Sequence, residues 1–552
     1  MKLILEKIRK EKMMKGLKRA LTLGVTVAMI TTLFSGCGEK NGDIDVGTMT
    51  KEEISEFEKK TGGLKLPLDD KGTTISVLCD TSQDSNQSVV VNELRRRTGI
   101  NVELIQIPRA TLKEKARVMI ASKDQMPDIF QGGMGYVELN EYGVQGAFEP
   151  VNKHFDKLPN IKNIYVNNAK ELGTEKVMKS YVATDGNLYT VPTFDSERYV
   201  NHGMMYRKDI FDKHNIPMWN STEEFYQAMK KLKEFYPSST PFVSKNGEAI
   251  FWRLGQSWGG LDIARPYYDE ETKTWKHSAT DQNLKDMLDY LKKLYDEKLI
   301  DPEFLTCTQA AWTSKMTQAE TAFTTVDWIG RLDQFYEQTR GIVPDYDLRY
   351  ANPMGPTQKV ITLSRVGTGP AVKKGENSLL ALKLLDYLLS ENGAELMTCG
   401  IEGVTFNWNE DKTHAKYIGF EEGKAIGIND LEEKYGMCVS GLCRRYDRRC
   451  IYFNYTEKEQ EAQDMMLNKE GGGFLPEDPE LTFIAEEQQI FSDYNAKIEK
   501  DTLEFCSKYI LSGNPTETGD AAWAAWLKKA ETLGVQEVTD AYNAAQARYD
   551  AQ

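Results

Sequence analysis

The stretch from residue 73 to residue 130 switches repeatedly between strand and helix periods, and this rhythm constrains the fold more than any other feature. TTISVLC (73–79) is β-branched and apolar and predicts a buried strand. SVVVNELRRRTG (88–99) has a helix period and stops at Gly99. NVELIQI (101–107) alternates like a strand and halts at Pro108; TLKEKARVMIAS (111–122) is an amphipathic helix; MPDIF (126–130) opens a third short strand before the loop QGGMGY. Strands linked through helices pair in parallel with helices on both faces, so the chain is of the α/β class. On such sheets ligands bind outside the carboxyl ends of the strands. Those ends are Asp80-Thr81-Ser82-Gln83 and Gln131-Gly132-Gly133. No glycine-rich phosphate loop follows the first strand, so a dinucleotide is not indicated.

A second strand–helix rhythm begins near Gly203. Ser221 with Glu224 three residues on predicts a capped helix running through TEEFYQAMKKLKEFY to Pro237. SLLALKLLDYLLS (378–390) is a strongly apolar helix, and 486–510 and 519–550 read as long helices with polar faces. Trp523 and Trp526 sit at helical spacing and are expected in the core. There is no internal repeat.

The start of the chain has a different character. Eight Lys or Arg against Glu6 and Glu11 precede an apolar run of fourteen residues, Leu21 to Phe34. A membrane helix needs about 20. A basic segment and a short apolar one form the layout of an export signal. Leu33-Phe34-Ser35-Gly36-Cys37 then resembles a bacterial lipobox, which implies cleavage of residues 1–36 and lipidation of Cys37. Residues 37–72 are polar and charged and are expected to be a flexible tether. The protein is thus expected on the outer face of the cell membrane, held by its lipid.

Residues 1–36 carry +6, so the chain's −14 becomes −20 without them. Such an acidic body excludes nucleic acid as the partner. The length beyond the tether, about 480 residues, implies two or more lobes. Seven cysteines follow Cys37, namely 79, 307, 399, 438, 443, 450 and 506. The number is odd, and both reduced thiols and a single disulfide remain open. C-x4-C-x6-C over 438–450 is not a zinc spacing. The run Arg444, Arg445, Arg448, Arg449 is expected on a solvated face or in ion pairs, and Arg207 with Asp209 in a structural ion pair.

The wording of the chain resembles the extracellular solute-binding protein family 1, in the lipoprotein branch tied to sugar ABC importers. The matching stretches are MPDIF (126–130), DGNLYTVP (185–192), MMYRKDIFDKHNIPMWNSTEEFYQAMKKLKE (204–234), AETAFTTVDWIG (319–330), NPMGP (352–356) and ALKLLDYLLSENGAELMTCGIEGVTF (381–406), with KYILSGNPTETGDAAWAAWLKKAETLG near the end. The resemblance implies a two-lobe periplasmic-binding-protein-like fold with a hinge between lobes. Lobe one would span 73–195 plus 358–402, and lobe two 200–350 plus 405–552. It also implies capture of a carbohydrate, an oligosaccharide by preference, for delivery to ABC permease subunits, by a monomer. Many relatives carry a calcium loop after the helix that here ends at Tyr236. YPSSTPFVSKNGEA lacks the carboxylates such a loop needs. No metal and no cofactor are therefore expected.

A sugar needs aromatic plates for its C–H faces and planar polar groups for its hydroxyls. The candidate plates are Trp252, Trp258, Trp328 and Trp408. The polar candidates are Asp80, Gln131, Arg253, Asp327, Glu402 and Asn407. Two other readings stay open. One is a ligand-sensing protein for a sensor kinase or chemoreceptor, with the same fold. The other is a secreted hydrolase, an esterase or a glycosidase. GQSWG (255–259) fits the G-x-S-x-G elbow, but that motif needs a strand before the serine and a helix after it. Arg253 before it and Pro266 after it argue against both, so no catalytic residue is assigned.

Overall fold

The computed structural model describes residues 51–80, 83–122, 126–195, 199–421, 426–451 and 456–551. The export segment and Cys37 lie outside the described residues, as do Thr81 and Ser82. Among the described residues, no helix is long and apolar enough to cross a membrane.

Two four-stranded sheets organise two lobes. In the first, Thr74–Asp80 lies between Asn101–Ile107 and Ile129–Phe130, parallel to both, and Ala371–Val372 adds an antiparallel edge. Successive side chains go to opposite faces, as the strand period of two requires. Ile75, Val77, Cys79, Val102, Leu104 and Ile129 enter one core, while Leu78, Ile107, Phe130 and Ala371 enter another. The helix Val89–Thr98 ends on Gly99, whose φ of 71° lets its N–H reach the Arg95 carbonyl.

The second sheet runs Leu348–Tyr350, His202–Arg207, Thr324–Trp328, Phe242–Val243. Only its last pair is parallel. Met204, Phe242 and Val326 face one core and Met205, Val243 and Leu348 the other. Both sheets are therefore covered on both faces. The helix Thr222–Phe235 starts as its sequence predicts: Ser221 Oγ accepts the Glu224 N–H at 3.2 Å. Glu224 reaches back one residue further than expected, to the N–H of Asn220 at 2.7 Å. Such a cap stabilises by about 1 kcal/mol. Arg207 and Asp209 pair at 2.6 Å.

Three expectations shift. Residues 51–72 are not wholly tether: Lys51–Lys60 is helical, Leu64 is buried in the first core, and the Asn160 amide donates to the Thr61 carbonyl at 3.0 Å. Phe406, Tyr417, Leu431 and Val439 share that core too, so the segments that carry them pack with the first sheet rather than the second. The expected helix 519–550 breaks into Gly519–Thr532 and Val535–Asp550 at Gly534, with φ of 87°. A Cβ there would come within 2.3 Å of the Tyr494 ring. The arginine run takes the second of its two expected roles: Arg448 and Arg449 form ion pairs with Asp195 and Asp447, and Arg444 is buried. Trp523 and Trp526 are buried as expected, and the seven cysteines after Cys37 are all buried.

Candidate functional site

On the first lobe, the carboxyl ends of Thr74–Asp80 and Ile129–Phe130 border a cavity of about 400 Å³, lined by Asp80, Arg109, Gln131, Gly132, Gly133 and Thr368 among others. Asp80 is held by Arg109 at 2.7 Å, and Arg109 itself is almost fully in solvent. Gln131 Oε1 is buried and accepts no hydrogen bond among the described residues. An unmet buried acceptor costs about 1–3 kcal/mol, so a donor supplied from outside the protein would be bound favourably there.

On the second lobe, Asp327 near the end of Thr324–Trp328 is 1 % exposed and gathers three cations. Lys245 Nζ and Arg253 Nη1 lie 2.9 and 3.1 Å from Oδ2, and Arg331 Nε lies 3.0 Å from Oδ1. Burial alone would raise the Asp327 carboxyl, but Lys245, Arg253 and Arg331 outweigh it and hold it below the usual carboxylate range. Burial in turn pulls the Lys245 ammonium down, against the pull of Asp327. The helix Ala249–Gly255 turns about 100° per residue. It therefore sends Arg253 to Asp327 while Trp252, 37 % exposed, leans on the Ile263 carbonyl through Nε1 at 3.3 Å. Trp328 is equally exposed, with the Arg331 guanidinium 5.8 Å from its ring centre. His202 stands opposite Trp328 in register.

The structure thus brings Arg253, Asp327 and Trp328 into one patch and Asp80 and Gln131 into another, while Trp252 lines a separate, larger cavity with Asp262, Asp269 and Glu477 among others. Trp258 belongs to neither: it is buried in the second core against Tyr290. Glu402 and Asn407 are exposed by the hairpin Phe406–Trp408/Ala415–Tyr417, and Trp408 lies half-buried under the Arg449 guanidinium at 4.4 Å. Ser257 of the elbow motif follows a helix, not a strand. Its buried hydroxyl is spent on the Leu254 carbonyl and the Gly355 N–H.

The model of the bacterial extracellular solute-binding protein family matches residues 81–395, more than half of the chain. The chain belongs to this family. Lipoprotein LipO of Bacillus subtilis (strain 168) is 23 % identical over 44 % of this chain and 47 % of its own. The polygalacturonan/rhamnogalacturonan-binding protein YtcQ of the same strain is 21 % identical over 59 % of this chain and 65 % of its own. The chain therefore spans between about half and two thirds of the length of these relatives. Among solved structures, an HMO-binding, ABC-transporter-associated solute-binding protein from Bifidobacterium longum infantis superposes with a TM-score of 0.63 at 15 % identity, covering 87 % of this chain and 99 % of that one. That likeness fixes the two-lobe fold.

In this solute-binding protein the lobes are joined by crossing segments that meet at one carboxylate. Asp195, in left-handed backbone at φ 61°, takes Arg448 at 3.2 Å and Arg365 at 3.5 Å. Gln463 holds the next segment, accepting the N–H groups of Tyr199 and Val200 and donating to the Val200 carbonyl. Val360–Ile361 pairs with Phe474–Leu475 alongside. Lys245, Arg331 and His202 were missed from sequence. Arg331 carried a signal, four residues beyond Asp327 on a helix that starts there; Lys245 carried none.

Proposed function

We propose that the protein captures a carbohydrate outside the cytoplasmic membrane and hands it to an ABC importer, with Cys37 as its lipid anchor. One observation carries the reading: the half-exposed Trp328 stands beside Asp327 and the planar guanidinium groups of Arg253 and Arg331 at the carboxyl end of the strand Thr324–Trp328 in a two-lobe body. Aromatic faces and fixed donors are what a sugar requires. The names of YtcQ and of the Bifidobacterium protein, both saccharide binders, support it. Asp80 and Gln131 would meet the ligand from the other lobe as the hinge closes. The importer is supported by the family and by the ABC transporter in the Bifidobacterium protein's name.

The test is a panel of mono- and oligosaccharides read by tryptophan emission and thermal unfolding. A ligand at a hundred times its Kd adds about 2.7 kcal/mol of stability. Trp328→Ala should weaken binding by about 1–3 kcal/mol and leave the empty protein folded. A panel in which no saccharide shifts either signal, while peptides do, would sink the sugar reading.

A further inference from the structure

Lys245, Arg253 and Arg331 share a single carboxylate. Lys245 and Arg253 both touch Asp327 Oδ2, and Arg331 touches Oδ1. The patch therefore holds two positive charges without a partner carboxylate among the described residues, in a chain of net charge −14. None of these cations is free in solvent: the Lys245 side chain is 4 % exposed, and those of Arg253 and Arg331 18 % each. Lys245 is further fixed over the Trp312 ring at 4.2 Å. Arg253 spends Nη1 on Asp327 and the Val326 carbonyl, and its Nε and Nη2 make no hydrogen bond among the described residues. Half-buried positive charge in surplus is unfavourable by itself. Guanidinium groups cannot relieve it by losing a proton, and their fork matches a carboxylate.

We propose that this surplus is the counter-charge for the ligand, and that the protein selects a saccharide bearing carboxylate groups, a uronic-acid oligomer, over its neutral counterpart. The proposal rests on the carbohydrate reading above and adds a charge to it. Trp328 would stack on a sugar ring, and Arg253 and Arg331 would take the carboxylate between them. A second, larger cavity, of about 1230 Å³, is not the seat of such a ligand. Asp262, Asp269, Glu270, Asp281, Glu477 and Asp478 line it among others.

The experiment titrates the full-length protein with a uronic-acid dimer, its methyl ester, the matching neutral hexose dimer, a sulfated dimer and free citrate. Expected is binding of the carboxylated dimer at least about tenfold tighter than the ester and the neutral dimer, the ratio one charge-assisted hydrogen bond supplies. Raising salt should erode that ratio, and Arg331→Gln should lower it, the carboxylated dimer losing more affinity than the neutral one. Equal or tighter binding of the neutral dimer overturns the proposal and leaves the carbohydrate reading standing. Equal binding of the sulfated dimer overturns the carboxylate preference, and equal binding of citrate overturns the saccharide. Silence from every sugar overturns the carbohydrate reading itself.

Discussion

Trp252 and Arg253 are neighbours on one helix, yet they face regions of opposite sign. Trp252 borders the large cavity, whose lining counts eight carboxylates against Lys176, Lys276 and Lys359. Arg253 borders the small patch around Asp327, where three cations share one carboxylate. The large cavity has space but little unmet demand. Lys276 pairs with Asp269 and Lys176 with Glu477, and burial pushes the Asp262 carboxyl above its ordinary value, so an acid here can relax by taking a proton. The arginines have no such exit. Volume shows where a molecule could fit; charge that the chain cannot itself neutralise shows where one is wanted.

The comparison breaks most visibly at Asp327. Asp327→Ala leaves Lys245, Arg253 and Arg331 with no carboxylate, and loss of one partner of a buried pair costs about 3–5 kcal/mol. The expected result in urea denaturation is a drop of that order, part of which added sulfate restores by occupying the vacated position. A loss below about 1 kcal/mol, or no response to sulfate, would mean that the cations are solvated and that the patch holds no surplus worth a ligand.

The two regions should also part on acidification. His277 lies on the hairpin Pro266–Asp269/Thr274–His277 beside the large cavity, and burial lowers its pKa to about 4. Its Nδ1 accepts the Ala279 N–H, so the ring is neutral in the folded protein. The unfolded imidazole titrates near 6.5. With the folded pKa depressed, the unfolded state binds the proton first, so stability is full above about pH 6.5 and falls as the pH drops toward 4, by on the order of 3 kcal/mol. Asp327 has the opposite window. Its carboxyl is depressed, so the stability it confers is present above its unfolded value near 3.9 and is lost only in stronger acid. Between pH 6.5 and 4 the cationic patch should hold while the hairpin side weakens. His277→Asn keeps an acceptor for Ala279 and should flatten the slope of stability against pH in that window; an unchanged slope would assign the acid lability to another group.

What the sequence made legible follows from what period and composition can encode. The first sheet, its helices and the caps at Gly99 and Ser221 could be placed because each depends on neighbours within a few residues. The two ends Asp80 and Gln131 followed from the same rhythm and border one cavity. Arg253, Asp327 and Trp328 were found as residues beside tryptophans, but their grouping was not visible. Lys245 reaches Asp327 from 82 positions away, from the residues just beyond Phe242–Val243, through pairing that no local pattern announces. Trp258 and Trp408 show the converse. A tryptophan in a turn-like phrase reads the same whether it lines a cleft or, like Trp258, fills the core against Tyr290. The break at Gly534 was missed because a lone glycine in a helical pattern is tolerated, and only the ring of Tyr494 decides it.

The smallest expected effect concerns the wall between the two regions. Gln256 lines both the large cavity and the small one beside Arg253, and Ser257 follows it on the inner side. The serine hydroxyl donates to the Leu254 carbonyl and accepts the Gly355 N–H, both at 3.1 Å. It thereby ties the end of the Trp252 helix to the segment that leads into the crossing strand Val360–Ile361. A Cβ at Gly355 would come within 2.2 Å of the Ser257 carbonyl oxygen, so the two backbones are already in contact and the hydroxyl has little freedom to turn toward a ligand. Ser257→Ala should therefore cost about 1 kcal/mol of stability, the worth of one buried hydrogen bond. Saccharide affinity should stay within about tenfold, or 1.4 kcal/mol, because neither the aromatic faces nor the cations move. The check is a parallel measurement of unfolding and of binding in parent and variant. A much larger loss of affinity at unchanged stability would place Ser257 on the ligand and dissolve the wall between the acidic and cationic regions. Ester hydrolysis by the parent that vanished in the variant would restore the catalytic reading of GQSWG.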